Sequence, residues 1–292
     1  MVKGLPSNKI FQDLSIKFLL LSFDQLYQID EQQGLHLEYH DDENYDFWTE
    51  NQESIYSILI ILFQSIENFL KKEICLESPL LILSTPPSKW KNKHFNDLLI
   101  YGFDDLLKIY SELRNVEFDE AIKAALSKIK STRNTIVHGV YKDLIFPKEI
   151  ITFTNIFLKE IWGCQWLKDI RPFIPYEWET CSETIMIWKI VCILEKYPGK
   201  NKTCFLLGVK TQDLYICPMC HYYNEKLLIT NECDYSYFIR KNGKKYLFCP
   251  ICENSYVLSN KKCQNSDCND KLIYSKDDFG YFCLNCEVFL DD

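Results

Sequence analysis

Two sets of residues in this chain have the types and spacing to do chemistry. The first is Arg133-Asn-Thr-Ile-Val-His-Gly139. On a helix, residues four apart lie on one face, so Asn134 and His138 place a carboxamide beside an imidazole. A guanidinium binds phosphate with a planar fork of donors, and an imidazole moves protons near neutral pH. Arg133 is the only arginine followed by a histidine five residues on. The second set is four thiol pairs, CPMC (217–220), CPIC (249–252), CQNSDC (263–268) and CLNC (283–286). Each short turn aims two sulfurs at one point, and two such turns complete the tetrathiolate shell of a closed structural zinc site.

Four turns supply two zinc sites. Sequential pairing assigns Cys217, Cys220, Cys249 and Cys252 to one, and Cys263, Cys268, Cys283 and Cys286 to the other. A cross-braced arrangement would instead join the first turn to the third, and disulfides are the alternative to metal in an oxidising compartment. Cys233 is left over as a non-ligand, and His221 adjoins a turn whose two thiols are already present. Cys75, Cys164, Cys181, Cys192 and Cys204 are scattered through apolar sequence and read as small buried hydrophobes. Neither an open coordination position nor a His/Asp/Glu cluster points to a catalytic metal.

The elements that must position these groups differ between the two parts of the chain. Ile55, Ile58, Leu59, Leu62, Ile66, Phe69, Leu70 and Ile74 recur at helical spacing, with Glu67 and Lys71 as an i,i+4 pair on the other side. Further helical patterns cover about 9–29, 95–113, 119–138, 149–168 and 184–196, separated by prolines. In the helix carrying the motif, Leu126, Ile129, Ile136 and Val137 fall within about 60° of Ile122 and with it define the buried stripe. Arg133 falls inside that stripe, where an arginine needs a carboxylate such as Glu67 or lies at a seam open to phosphate. Lys123, Ser127, Lys130, Asn134 and His138 form a polar flank. Asp119 is the expected N-cap and Gly139 the expected end.

In the cysteine-rich part, two aromatic runs surround Asn242-Gly243, the strongest short hairpin signal. The turn carries Arg240, Lys241, Lys244 and Lys245 beside Tyr237, Phe238 and Tyr246. Those types suit single-stranded RNA, and they equally suit a solvated hairpin tip. The fold class expected is mainly α: a helical bundle followed by a small β-rich tandem zinc-ribbon module. The domains expected are an N-terminal helical extension with an acidic loop (1–50), a helical domain (51–204) and the ribbons (205–292).

The segment Arg133 to His138 resembles the R-N-x-x-x-H motif of HEPN-domain ribonucleases. The resemblance extends through the helix pattern over about residues 50–170, and the seven-residue motif is its specific part. It implies a metal-independent endoribonuclease that dimerises through the helical domain and brings two copies of the motif into a composite cleft. Arg133 would hold the scissile phosphate, His138 would move a proton, and Asn134 would orient His138 or bind phosphate. Glu67 and Lys130 would support them. The products implied are a 2′,3′-cyclic phosphate and a 5′-OH. Similar domains occur in prokaryotic toxin and antiviral-defence systems, which implies RNA, tRNA included, as partner, and a further inhibitory or activating partner. A catalytically silent dimerisation scaffold with nucleic-acid- or protein-binding ribbons is the second reading, and a zinc-ribbon DNA-binding regulator the third.

Charge limits these readings. The 292 residues carry a net −8, which alone disfavours a phosphate backbone. Residues 29–54, however, hold nine acids and no Lys or Arg, so the remainder is +1. That acidic run reads as a solvated connector. Residues 121–148 hold Lys123, Lys128, Lys130, Arg133, Lys142 and Lys148 against Asp143, a basic surface beside the motif. The longest apolar runs are interrupted by polar residues, so the expectation is a cytoplasmic chain with no membrane partner.

Overall fold

A computed structural model describes residues 2–39, 44–139, 143–163, 165–174, 182–227, 234–265, 267–268, 270–275 and 280–290. Cys233, Lys142, Cys164 and Cys181 lie outside the described residues. The architecture is mainly helical with a C-terminal antiparallel sheet, and the chain divides into two compact units, Met1–Ile174 and Pro175–Asp292. The division falls 30 residues before the expected 204/205 boundary, because the helix expected at 184–196, and a second short helix after it, join the cysteine-rich part.

The first unit is built around α3 (Gln52–Glu77). Its eight expected core residues are all buried, together with Phe63. The long α1 (Asn8–Tyr39) packs along it. Ser15 and Ser65, both fully buried, exchange hydroxyl-to-carbonyl hydrogen bonds of 2.9 and 2.8 Å, which satisfies polar groups that would otherwise be costly at this seam. The acidic run is not one loop: most of it lies in the end of α1, in α2 (Asn44–Glu50) and in the start of α3. Phe47 and Trp48 of α2 are buried, which ties this segment to the core despite its charge. By length and hydropathy α3 alone among the described helices could cross a membrane, but its apolar face is covered by α1 and by α4 (Phe103–Arg114) and α5 (Glu120–Val137).

The pattern at 149–168 is broken in three. α6 (Pro147–Ile156) runs into a π-helical turn at Phe157–Trp162 that ends on Gly163 at φ +83°, followed by α7 (Trp166–Ile170). Phe157 and Trp162 pack on Phe69 of α3 (5.6 and 4.7 Å between centroids), and the wider turn lets both large rings reach that one position.

In the second unit, α8 (Ser182–Lys196) and α9 (Lys200–Leu206) pack together and hold the segment leading into the sheet. The buried Tyr235 donates its hydroxyl to Glu195 at 2.7 Å, and Lys200 pairs with Asp234. After α10 (Pro218–Leu227) come six strands: β1 (Tyr237–Lys241), β2 (Lys244–Phe248), β3 (Ser255–Lys262), β4 (Lys271–Ser275), β5 (Gly280–Cys283) and β6 (Val288–Leu290). They form one antiparallel meander in chain order. The predicted turn is present: Asn242 and Gly243 both take positive φ (+52° and +76°), as the tight primed turn requires. The sheet's buried face carries Leu247, Tyr256, Ile273 and Phe282, and α10 covers it with His221, 5.9 Å from the Phe282 ring.

Candidate active site and metal centres

α5 carries the motif to its own C-terminal end. Asp119 is the N-cap, accepting from the Ile122 amide at 2.8 Å, and the last turn closes with the His138 amide donating to Asn134 O at 3.0 Å. Gly139 takes φ +69°, a left-handed conformation that ends helices at little cost for glycine, and donates to Ile136 O. Both expected ends therefore hold. His138 is exposed at the negative end of the helix dipole. The buried stripe is narrower than expected: Leu126, Ile129 and Thr132 are buried, whereas Val137 is 52% exposed because α5 runs past the core there.

Arg133 sits at the α3 seam. Its guanidinium carbon lies 5.3 Å from the centroid of Phe63, a cation–π contact, and its Nη1 donates to Asn134 Oδ1 at 2.9 Å. Its Nε is buried with no acceptor, and no carboxylate pairs with it among the described residues. Ring and carboxamide thus fix the plane of the guanidinium without neutralising it.

The expected supporting residues are engaged elsewhere. Glu67 pairs with Lys71 on its own helix at 2.5 Å, and so is neither the partner of Arg133 nor drawn to the motif. Lys130 pairs with Asp104 of α4. Asn134 has its carbonyl oxygen occupied by Arg133, and the His138 ring has no hydrogen-bond partner among the described residues, so one chain joins Arg133 to Asn134 and leaves His138 a turn away unoriented. The basic surface is also weaker than its composition: Lys123 pairs with Glu120 and Lys128 with Glu149, leaving Arg133 and Lys148 without a carboxylate partner among the described residues.

The eight paired cysteines assemble in the sequential order, excluding the cross-braced alternative. In each group of four the sulfurs lie within 4.8 Å of one another, and either group could hold a metal ion. Cys217–Cys252 and Cys220–Cys249 are separated by 3.5 and 3.7 Å, Cys268–Cys283 and Cys263–Cys286 by 3.5 and 3.9 Å. A tetrahedron with metal–sulfur bonds of about 2.3 Å has edges of about 3.8 Å, while a disulfide would bring sulfurs to about 2.05 Å. The separations fit the first and exclude the second. The first turn opens α10 rather than a hairpin, so Cys217 and Cys220 lie at a helix N-terminus.

The two shells differ in setting. Cys217, Cys220 and Cys249 are buried, whereas Cys268 and Cys286 are partly exposed. In the second shell the Asp270 amide, then the Asn285 carboxamide, bring the Cys268 thiol down to about 7, while its bond with Cys268 pushes Cys286 up to about 12. Asn265 and Asn285 donate to Cys286 and Cys268 at 3.7 and 3.4 Å, amide-to-sulfur bonds that would stabilise thiolate ligands.

The expected RNA-binding tip is split by its own register. Arg240 opposes Lys245 and Lys241 opposes Lys244, and since opposed residues share a face, the four cations form two pairs on opposite sides of the hairpin. Lys245 lies 3.9 Å over the Phe238 ring. Sequence reasoning missed Phe63, whose role depends on which way α5 turns against α3. No protein-family model matches the chain, and no curated protein or solved structure matches it.

Proposed function

We propose that the chain is a metal-independent endoribonuclease of the HEPN type, acting as a homodimer in the cytoplasm on tRNA or another structured RNA, in a toxin or antiviral-defence setting. The observation that carries this is Arg133: a half-buried guanidinium with an unpaired Nε and, among the described residues, no carboxylate, five residues along α5 from an exposed imidazole. Such an arginine is prepared for an anion from outside the chain.

RNA supplies its own nucleophile. The 2′-OH loses its proton, a bond forms between the 2′-oxygen and phosphorus, the bond from phosphorus to the 5′-oxygen breaks, and that oxygen takes up a proton. Arg133 would hold the phosphate and stabilise its growing charge, and His138 would carry one proton transfer. A second imidazole for the other transfer, and an orienting partner for His138, would come from the second copy of the motif. An inhibitory or activating partner would restrain such an activity in a cell.

In the second unit the all-sulfur shells suit zinc, which favours four thiolates in closed structural sites, and their part is to hold the ribbons that aid RNA recognition. Elemental analysis should give two zinc ions per chain.

The test is cleavage of total RNA and tRNA in EDTA by the intact protein beside Arg133→Ala and His138→Ala, with end-group analysis and with zinc content checked after the chelator. Loss in both variants, with cyclic-phosphate ends in the parent, is expected; cleavage retained in both would overturn the assignment. The unoriented His138 ring favours one other reading, a silent dimerisation scaffold, for which a stable dimer that binds RNA without cutting it would be the result.

A further inference from the structure

The register of the six strands assembles a surface that no single hairpin contains. On the side of the sheet opposite α10, Ile239, Tyr246, Val257, Tyr274, Tyr281 and Leu290 are directly opposed from strand to strand, one residue from each of β1 to β6. All six are half-exposed, whereas the parallel row on the other side, Leu247 and Tyr256 or Ile273 and Phe282, is buried. Three of the six are tyrosines, and the rings of Tyr274 and Tyr281 lie 4.7 Å apart at 38°. Tyr281 and Leu290 pack in part on the buried Cys263, Leu272 and Cys283 beside the second shell, and the rest of the row is half-exposed and apolar or aromatic where a solvated face normally alternates to polar residues.

Cations border this row. Lys241 and Lys244 lie on the same face at the hairpin end, and Lys261 lies 4.0 Å over the Tyr281 ring. Lys261 reaches it because β3 carries a register shift between Leu258 and Lys262, which turns the strand's end out of the ladder. Residues 237–262 hold six Lys or Arg and one acid, so the surroundings attract phosphate although the whole chain is acidic. The row crosses strands about 4.8 Å apart, so tyrosines on β2, β4 and β5 are spaced along a line that an extended strand of nucleotides can follow.

We propose that this face is a stacking platform for single-stranded RNA that runs across both ribbons, with bases on Tyr246, Tyr274 and Tyr281 and the backbone along Lys244 and Lys261. It rests on the reading of the second unit as RNA-binding, and is independent of whether Arg133 and His138 cut. Stacking accepts every base, so the platform grips unpaired RNA with little sequence preference, and a duplex, whose bases are already stacked, fits it poorly.

The experiment is fluorescence anisotropy of the intact, metal-loaded protein carrying His138→Ala, with a labelled uridine-rich 12-mer and its duplex. Tyr274→Leu and Tyr281→Leu keep apolar cover over the sheet while removing the aromatic ring. Each should weaken binding about tenfold, the two together more, with circular dichroism and metal content unchanged. Lys244→Ala should weaken binding less and make the logarithmic salt dependence shallower by roughly 0.7. Affinity for the 12-mer unchanged in the double variant, or a duplex bound as tightly as the single strand, would overturn the platform while leaving RNA binding by the ribbons standing. No binding of either RNA would overturn both.

Discussion

Gln52 offers a sharp test of how the segment after the motif is held. This residue opens α3, is buried, and uses its whole side chain: Nε2 donates to Trp48 O at 2.7 Å and to Ile145 O at 3.0 Å, while Oε1 accepts from the Ile145 amide at 2.9 Å. Ile145 is itself 2% exposed, so water cannot replace what Gln52 supplies. Gln52→Leu keeps the approximate volume and leaves the N–H and C=O of Ile145 buried without those partners, each at a cost of about 1–3 kcal/mol. Allowing about 1 kcal/mol returned by the added apolar burial, the net loss is about 1–5 kcal/mol. For a unit of this size that lowers the melting temperature by roughly 2–20 °C. Urea unfolding followed by far-ultraviolet circular dichroism reads it, with Gln28→Leu as control, since the Gln28 bond to Asp24 is exposed and should be worth under about 0.5 kcal/mol. A Gln52→Leu variant as stable as the control would refute the claim that this side chain pins the 143–146 segment.

Other outcomes follow from the same structure. Asp119→Ala removes the N-cap of α5 and should cost about 1 kcal/mol, read in the same unfolding assay; no change would mean the cap is idle. Lys130→Ala should alter stability by under about 0.5 kcal/mol, because its bridge to Asp104 is exposed, and a larger loss would give that pair a structural role. Burial pushes the Cys75 thiol up to about 11, against a smaller lowering by Lys71, so the native protein should leave it unmodified by thiol reagents at pH 8. The folded state then holds that proton where the unfolded state, with its thiol near 9, releases it, and stability should fall as pH rises from about 9 to 11. A Cys75→Ala variant with the same decline over that range would assign it elsewhere. A fragment of residues 205–292 should be poorly soluble beside one of 175–292, because it leaves Tyr235 without Glu195 and Asp234 without Lys200; equal solubility would restore the later boundary.

What could be read from the sequence was whatever depends on neighbours along the chain. Asp119 and Gly139 mark the ends of α5 through local backbone chemistry, Asn242-Gly243 specifies its turn, and the four thiol pairs announce two shells, although choosing the sequential over the cross-braced pairing took the sulfur positions. The apolar repeat from Ile55 to Ile74 finds its core face because a helix buried on several sides tolerates small errors of phase. What could not be read depends on rotation and register between distant elements. Val137 satisfies the periodicity of α5 and is nonetheless exposed, since periodicity does not say where the neighbouring helix stops. Whether Glu67 would meet Arg133 depended on how α5 turns against α3, although its local pair with Lys71 was legible. α8 is as apolar as any bundle helix, and only the hydroxyl of Tyr235, forty residues on, shows which unit it serves. The tyrosine row needs the alignment of all six strands, which no local signal contains.

The continuity of the meander ties the two thiol shells together. β3 follows directly from Cys252 of the first and leads directly into Cys263 of the second, while its middle pairs with β2 on one side and β4 on the other. Whatever orders β3 from one end thereby presents the ligands at the other in register. Filling one shell lowers the entropy still to be lost in forming its neighbour, so occupancy should rise steeply rather than in two independent steps, with the buried shell leading and the open one following. The strand is then a thermodynamic axle between two shells that never touch.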